Sequence, residues 1–245
     1  MVGEKLAEGK TKIIFDYGDG KVLVENKDSI TAGDGAKKNL LEGKGAASCR
    51  TASNCFALLN ANGIETHFVE KKSDREFIAR KCRMIPLEAV ARRIATGSFL
   101  KRHAEVGEGT RFDPLVMEFF FKDDARHDPH YSEEQVVSEN IASEEEVEEM
   151  KETLGKVFGV LERAWAKQNV TLVDLKIEFG RTEDGRLVVA DVIDNDSWRI
   201  WPGGLKERML DKQVYRNLPQ VTQEALVDLK NRYDAVAKMT DGFSE

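Results

Sequence analysis

Along residues 171–180 apolar and polar side chains alternate. Leu172 aside, Val173, Leu175, Ile177 and Phe179 fall on one side of an extended chain, and Asp174, Lys176 and Glu178 on the other. The pattern predicts a strand over 171–181 and a partner over 186–193. Asp184-Gly185, a favoured two-residue hairpin turn, joins them. Residues 5–25 read as a β-meander whose apolar runs flank Gly18-Asp19-Gly20. Further strands are expected over 66–69, 77–86 and 116–121, the second ending at Pro86, where no ladder bond can be donated. Residues 87–93 fit a short helix and a strand equally.

The spacing turns helical over 35–62, where Ala, Leu and Lys are common, proline is absent and Asn62-Gly63 stops the run. Ser132 with Gln135, and Ser143 with Glu146, have the spacing of capping boxes and mark two helix starts. The second helix runs to about Gln168, with Val147, Met150, Leu154, Val157, Phe158, Leu161 and Trp165 on its buried face. Its acidic opening, Glu144 to Glu149, is a solvated face favoured by the helix dipole. Residues 219–239 are again helical. Residues 96–114 and 122–129 read mostly as loop. There is no internal repeat or long linker. Strands come first and then mix with helices, which predicts an α+β fold.

The chain has 245 residues, enough for one large domain or two small ones sharing an interface. With 41% hydrophobic and 33% charged residues it can build a core. Its net charge of -7 argues against nucleic-acid or anionic-membrane partners, while leaving room for a local basic pocket that takes a small phosphorylated ligand. Cys49, Cys55 and Cys82 form no C-x-x-C pair and fit free thiols in a reducing compartment. No apolar leader follows the N-terminus, and no apolar stretch nears the ~20 residues that span a bilayer, so a cytoplasmic protein is expected.

The alternating hairpin is the first candidate site. Centred on Asp184-Gly185, it places Glu178 opposite Asp191, Lys176 opposite Ile193 and Asp174 opposite Asn195. Two facing carboxylates repel unless a cation lies between them. Oxygen-only ligation selects a hard ion such as magnesium shared with phosphates. A solvent-facing strand on which Lys176 neutralises both neighbours fits equally well. Glu8-Gly9-Lys10-Thr11-Lys12 is the second candidate. It is no Walker A loop, because the other glycine (Gly3) sits one residue too far back and Ile13-Ile14-Phe15 continues as strand. A strand-to-strand lid over phosphates and a plain basic turn both remain open. The third is Arg92-Arg93-Ile94-Ala95-Thr96-Gly97-Ser98-Phe99-Leu100-Lys101-Arg102. Hydroxyls, amides and guanidinium forks here suit a monophosphate, and a charged surface loop is the alternative. Arg199 is a further anion fork. His127-Asp128-Pro129-His130 lacks the helical spacing of a metal site and reads as polar loop.

These motifs, with Ile30-Thr-Ala-Gly33, Phe120-Phe-Lys-Asp-Asp-Ala125, Leu172-Val-Asp-Leu-Lys-Ile-Glu-Phe-Gly180 and Ala190-Asp-Val-Ile-Asp-Asn-Asp-Ser-Trp-Arg199, resemble the SAICAR synthetase family, in family order and over nearly the whole chain. Their wording is nearest the animal-type enzymes. The resemblance implies a small β-rich nucleotide-lid domain (1–86) and a larger α+β domain (87–245), with ATP in the cleft between them. It implies an ATP-dependent ligase of purine biosynthesis. The carboxylate of carboxyaminoimidazole ribonucleotide (CAIR) is activated as an acyl phosphate, L-aspartate attacks, and SAICAR, ADP and phosphate leave.

Residue by residue, the resemblance assigns Lys10 and Lys12 to the ATP phosphates, and Met84 and Leu87 to the adenine, chiefly through backbone groups. Glu178 and Asp191 bind nucleotide and Mg2+. Arg92, Ser98 and Arg199 hold CAIR. Lys122, Asp128, Asp174 and Lys176 line the reacting end, and Asp196, Lys212 and Arg216 supply aspartate and anion contacts. A homo-oligomer is expected, without nucleic acid or membrane. Animal enzymes continue into an AIR carboxylase domain, whereas this chain stops at Glu245 as a stand-alone enzyme or one half of a longer one. Asp34-Gly35 also departs from the family pattern, which leaves the role of Asp34 open. A kinase-like phosphotransferase and a non-catalytic nucleotide-binding module are the other readings. The first would need no monophosphate pocket, and the second would not keep the acidic pair and lysines.

Overall fold

The N-terminal meander forms as its alternation predicts. β1 (Lys5–Glu8), β2 (Lys12–Gly18) and β3 (Lys21–Asn26) pair antiparallel in order. Gly18, Asp19 and Gly20 all take positive φ at the turn between β2 and β3. These coordinates come from a computed structural model that describes residues 3–33 and 35–244, so Asp34 lies outside the described residues.

The helix expected over 35–62 begins only at Lys44. Before it, β4 (Ser29–Ala32) and β5 (Lys37–Leu40) form a separate hairpin, and α1 (Lys44–Ala61) follows. Pairing with β4 overrides the helix propensity of Lys37-Lys38-Asn39-Leu40, and Gly43, at φ 80°, sets the boundary. Asn62 caps α1, and Gly63 leaves it at φ 75°. β6 (Phe68–Lys71) and β7 (Glu76–Arg80) complete a five-stranded sheet in the order β1-β2-β3-β7-β6.

The chain then changes sheet. β8 (Arg83–Ile94) runs straight through Pro86, so the expected strand end there is wrong, and residues 87–93 are extended. Pro86 lies where the β8–β11 register shifts, between Met84 and Glu88, so its missing N–H costs no ladder bond. Its carbonyl accepts from the Lys122 amide at 3.0 Å. α2 (Ser98–Arg102), β9 (Arg111–Phe121), β10 (His130–Tyr131), α3 (Glu133–Ser138), α4 (Glu144–Lys167), β11 (Val170–Arg181), β12 (Leu187–Ala190), β13 (Trp198–Pro202), α5 (Gln213–Asn217) and α6 (Gln223–Thr240) follow. The region expected to be loop over 96–114 therefore contains α2 and the start of β9. Both capping boxes form, at Ser132 with Gln135 and at Ser143 with Glu146.

The second sheet has the order β10-β9-β8-β11-β12, with β13 also on β11. Its long central strand, β11, turns Leu175, Ile177 and Phe179 into the core; where its register shifts, between Leu172 and Asp174, Leu172 joins that core in place of the expected Val173, which is buried outside it. Val147, Met150, Leu154, Val157, Phe158, Leu161 and Trp165 of α4 join the same core. Each such side chain contributes about 1.5–3 kcal/mol by leaving water. The core is continuous across both sheets, from Phe56 and Phe77 to Leu87 and Ile177. A smaller cluster of Ile30, Leu41, Tyr215, Leu229 and Tyr233 ties the β4–β5 hairpin to α5 and α6. With helices packed on antiparallel sheets, the fold is α+β. No helix among the described residues is long and apolar enough to cross a membrane.

Candidate active site

With the apolar face of β11 buried, its Asp174, Lys176 and Glu178 form the floor of a cleft of about 900 Å³. The hairpin register differs by one residue from the expectation. The Thr182 amide donates to the Arg186 carbonyl at 3.0 Å, so the loop is Glu183-Asp184-Gly185, with Gly185 at φ 84°. A three-residue loop with glycine in the left-handed position replaces the two-residue turn. Glu178 therefore faces Ala190, and Asp191 lies just past the end of β12 at φ 66°. Lys176 does not face Ile193, nor Asp174 Asn195. The chain loops out after Ala190, and β13 returns to set Arg199 beside Asp174.

The carboxylate directly across from Glu178 is Glu88 of β8. Sequence reasoning missed it. Reading 87–93 as strand would have put Glu88, Val90 and Arg92 on one face. Lysines separate the pair: Lys176 Nζ is 2.6 Å from Glu88 and 3.7 Å from Glu178, and Lys122 Nζ is 2.6 Å from Glu178. Burial alone would raise the Glu178 carboxyl, but Lys176, Lys122 and Lys12 together hold it below the usual range. Burial works against the Lys176 ammonium too, and Glu88 and Glu178 outweigh it and raise its pKa. Lys12 contacts Asp191. Burial lowers its ammonium to about 8, against the pull of Glu178 and Asp194. Lys10 reaches out over the cleft to Asp124 at 2.8 Å.

A chain of alternating charges occupies the next corner. Asp174 on β11 sits between Arg92 on β8 and Arg199 on β13. Arg92 donates to Asp174 at 2.9 Å and to Glu118 at 2.6 Å; Arg199 also contacts Asp174, and Arg102 contacts Glu118. Glu118, buried in an apolar strand, is a second residue the sequence reading passed over. Burial would raise its carboxyl, but Arg92 and Arg102 lower it. Gly97, at φ 63°, lets the chain pass Arg199, since a Cβ there would lie 2.6 Å from the guanidinium. Ser98 lines the same corner.

The third corner gathers Asp196, Lys212 and Arg216. Asp196 accepts from Lys212 at 2.9 Å and from the Tyr233 hydroxyl at 2.8 Å. Burial would raise its carboxyl, but Lys44, Lys212 and Tyr233 keep it well below the usual range. Asp128 lies at the rim, accepting from the Asp123 amide at 2.7 Å. Thus Lys10, Lys122, Asp128, Asp174, Lys176, Glu178, Asp191, Arg92, Ser98, Arg199, Asp196, Lys212 and Arg216 all line one cleft. Lys12 stands behind Asp191. Leu87 is instead buried in the core, and Met84 lies exposed on β8, neither lining the cleft. No group of three or more His, Cys, Asp or Glu suited to a metal occurs among the described residues.

A family model described as SAICAR synthetase matches residues 5–232. A phosphoribosylaminoimidazole-succinocarboxamide synthase of Roseiflexus castenholzii is 56% identical over 244 residues, covering 99% of this chain and 98% of that protein. A bifunctional carboxylase/succinocarboxamide synthetase of Drosophila melanogaster is 50% identical, covering 97% of this chain and 57% of that one. Closer kinship to the animal type is therefore not supported, because the bacterial relative is the more similar of the two. A solved SAICAR synthetase in complex with ADP is 34% identical with a TM-score of 0.84, covering 96% of this chain and 98% of its own.

Proposed function

The chain belongs to the SAICAR synthetase family, and from that premise we propose how its cleft divides among three substrates. It is an ATP-dependent ligase that joins CAIR to L-aspartate, releasing SAICAR, ADP and phosphate, in purine biosynthesis. We assign the ATP phosphates to Lys10 and Lys12 beside Glu178 and Asp191, with the adenine beyond, toward the backbone of 84–87. The solved relative in complex with ADP supports a nucleotide as ligand. Residues 1–86 would then act as the lid domain over residues 87–245. We place the enzyme in the cytoplasm and expect a homo-oligomer.

The observation that carries the CAIR assignment is the row Arg92–Asp174–Arg199 across three strands, with Ser98 and Arg102 beside it. Guanidinium forks held by buried carboxylates keep a fixed geometry and suit a ribonucleotide phosphate. A phosphotransferase acting on a simple alcohol would need no such corner. Asp196, Lys212 and Arg216 are assigned to L-aspartate. Lys122 and Lys176, with Asp128 at the rim and Asp174 within the CAIR corner, are assigned to the reacting end.

Glu178 and Asp191 suit Mg2+ as well. A cation shared with phosphates needs only one or two protein carboxylates, so the lack of a larger cluster is no obstacle. Both now contact lysines, which would turn to the phosphates when nucleotide binds. Held by Glu178 and Asp191, Mg2+ would offset the negative charge of the phosphates. In the reaction we infer, Lys12, Lys122 and Lys176 stabilise the charge that moves onto the departing ADP as the CAIR carboxylate takes the phosphoryl group. The corners hold both partners so that the aspartate amine meets the activated carbonyl.

The test is ADP release measured with each substrate omitted. Release should require CAIR and L-aspartate together, and Asp191→Asn should lower turnover ~100-fold, as removal of an electrostatic stabiliser does. Wild-type turnover of that variant at saturating magnesium would overturn the Asp191 assignment.

A further inference from the structure

One buried cation plays no part in the assignments above. Lys44 opens α1, and it is only 1% exposed. Two effects oppose it there. A buried ammonium loses its hydration, and the start of a helix already carries partial positive charge. The backbone nevertheless fixes it in place. The Gly45 amide donates to Asp28 at 2.8 Å, and a Cβ on Gly45 would lie 2.4 Å from the Asn26 carbonyl oxygen.

The surroundings do not fully satisfy the charge. An ammonium has three donors. Among the described residues, the hydrogen bond the Lys44 ammonium makes is to Ser48 Oγ, at a long 3.5 Å. Its Nζ stands 3.9 Å from Asp196 Oδ2 and 5.6 Å from the centre of the Tyr233 ring. Asp196 Oδ2 already receives Lys212 at 2.9 Å, and Tyr233 takes Oδ1 at 2.8 Å. One carboxylate oxygen thus serves two ammonium groups. Lys212 and Asp196 line the cleft, and Lys44 stands behind them.

We infer that Lys44 is a positioning residue for the amino-acid substrate. From behind the cleft wall it shares the Asp196 carboxylate, so Lys212 keeps charge and N–H donors for a substrate carboxylate. Lys44 and Tyr233 also reach Asp196 from separate helices, α1 and α6, and so fix that corner from both sides. The inference rests on reading Asp196, Lys212 and Arg216 as the corner for L-aspartate.

Steady-state kinetics on Lys44→Met, Lys212→Met and the double variant Lys44→Met/Asp196→Asn test it. Methionine conserves volume and removes only the charge. Lys44→Met should raise KM for L-aspartate about tenfold and leave KM for ATP and CAIR within about twofold, and the double variant should not recover. If Lys212→Met raises the aspartate KM and Lys44→Met does not, the inference fails and the corner stands. If Lys212→Met raises KM for ATP or CAIR instead, the corner reading itself fails. Full recovery in the double variant would mean that Lys44 only neutralises a buried carboxylate, and would overturn the proposal. Should Lys44→Met not fold, Tyr233→Phe removes the hydroxyl on Oδ1 alone. An unchanged aspartate KM in that variant would also sink it.

Discussion

At Lys12 burial and function pull in opposite directions. On the proposed assignment the nucleotide phosphates need its positive charge, yet burial brings its ammonium down to about 8. Above that pH a growing share of unliganded protein has neutral Lys12. Bound polyphosphate favours the charged form, so binding there takes up a proton and weakens as pH rises. KM for ATP should therefore climb from pH 8 to 9.5, while Lys12→Arg, which stays charged, should hold it flat. A parallel rise in both would remove Lys12 as the titrating group. Single residues were the most legible part of the site. Lysines alternating with threonine, and acids alternating along β11, are statements about period, and period survives without tertiary knowledge. Glu88, Glu118, Lys44 and Tyr233 were not legible. Each matters only for what it faces across strands or between helices, and no spacing along the chain encodes that.

Elements were readable where their signals are local and misread where partners decide. The capping boxes at Ser132 and Ser143 bind amides only three residues away, so four letters suffice to predict them. The segment 37–40 has helix-forming residues and became β5, because Ser29–Ala32 offers it a ladder. Asp184-Gly185 was recognised as turn, but whether Glu183 joins the loop sets the register of everything after it, and Glu178 lost Asp191 as its direct partner by that one residue. The local signals can be tested separately from the chemistry. Ser143 caps the start of α4, and neither it nor α4 lines the cleft. Replacing it with alanine removes the hydroxyl that accepts from the Glu146 amide at 3.2 Å. Ser143→Ala should cost about 1 kcal/mol and lower Tm by roughly 2–4 °C. Calorimetry paired with kinetics checks this: unchanged Tm would mean that packing alone holds the first turn, and altered KM would mean that α4 communicates with the cleft.

The whole molecule reconciles an acidic chain with anionic substrates. Its net charge is -7, yet lysines and arginines converge on the cleft from the turn before β2, from β8, β11 and β13, and from the region around α5. In the structure Lys10, Lys12, Arg92, Lys122, Lys176, Arg199 and Lys212 each face a carboxylate, while Arg216 reaches Gln213, so the cleft holds largely matched opposite charges rather than a bare basic patch. Such a site can take phosphates only if the freed carboxylates find another cation. Glu178 is buried and cannot turn to water, so a nucleotide that draws Lys122 and Lys12 away would leave only Lys176, which Glu88 also holds, to offset it against the phosphate oxygens. On the proposed assignment, magnesium would answer that repulsion. ADP at 100 times its Kd should stabilise the fold by about 2.7 kcal/mol, a Tm rise of roughly 5–10 °C for a chain of this size. With a chelator in place of magnesium the rise should fall by more than half, and in Glu178→Gln the dependence on magnesium should weaken because one repelling carboxylate is gone. An equal rise with and without the metal would show that the lysines alone balance the nucleotide, and that Glu178 and Asp191 serve to hold them.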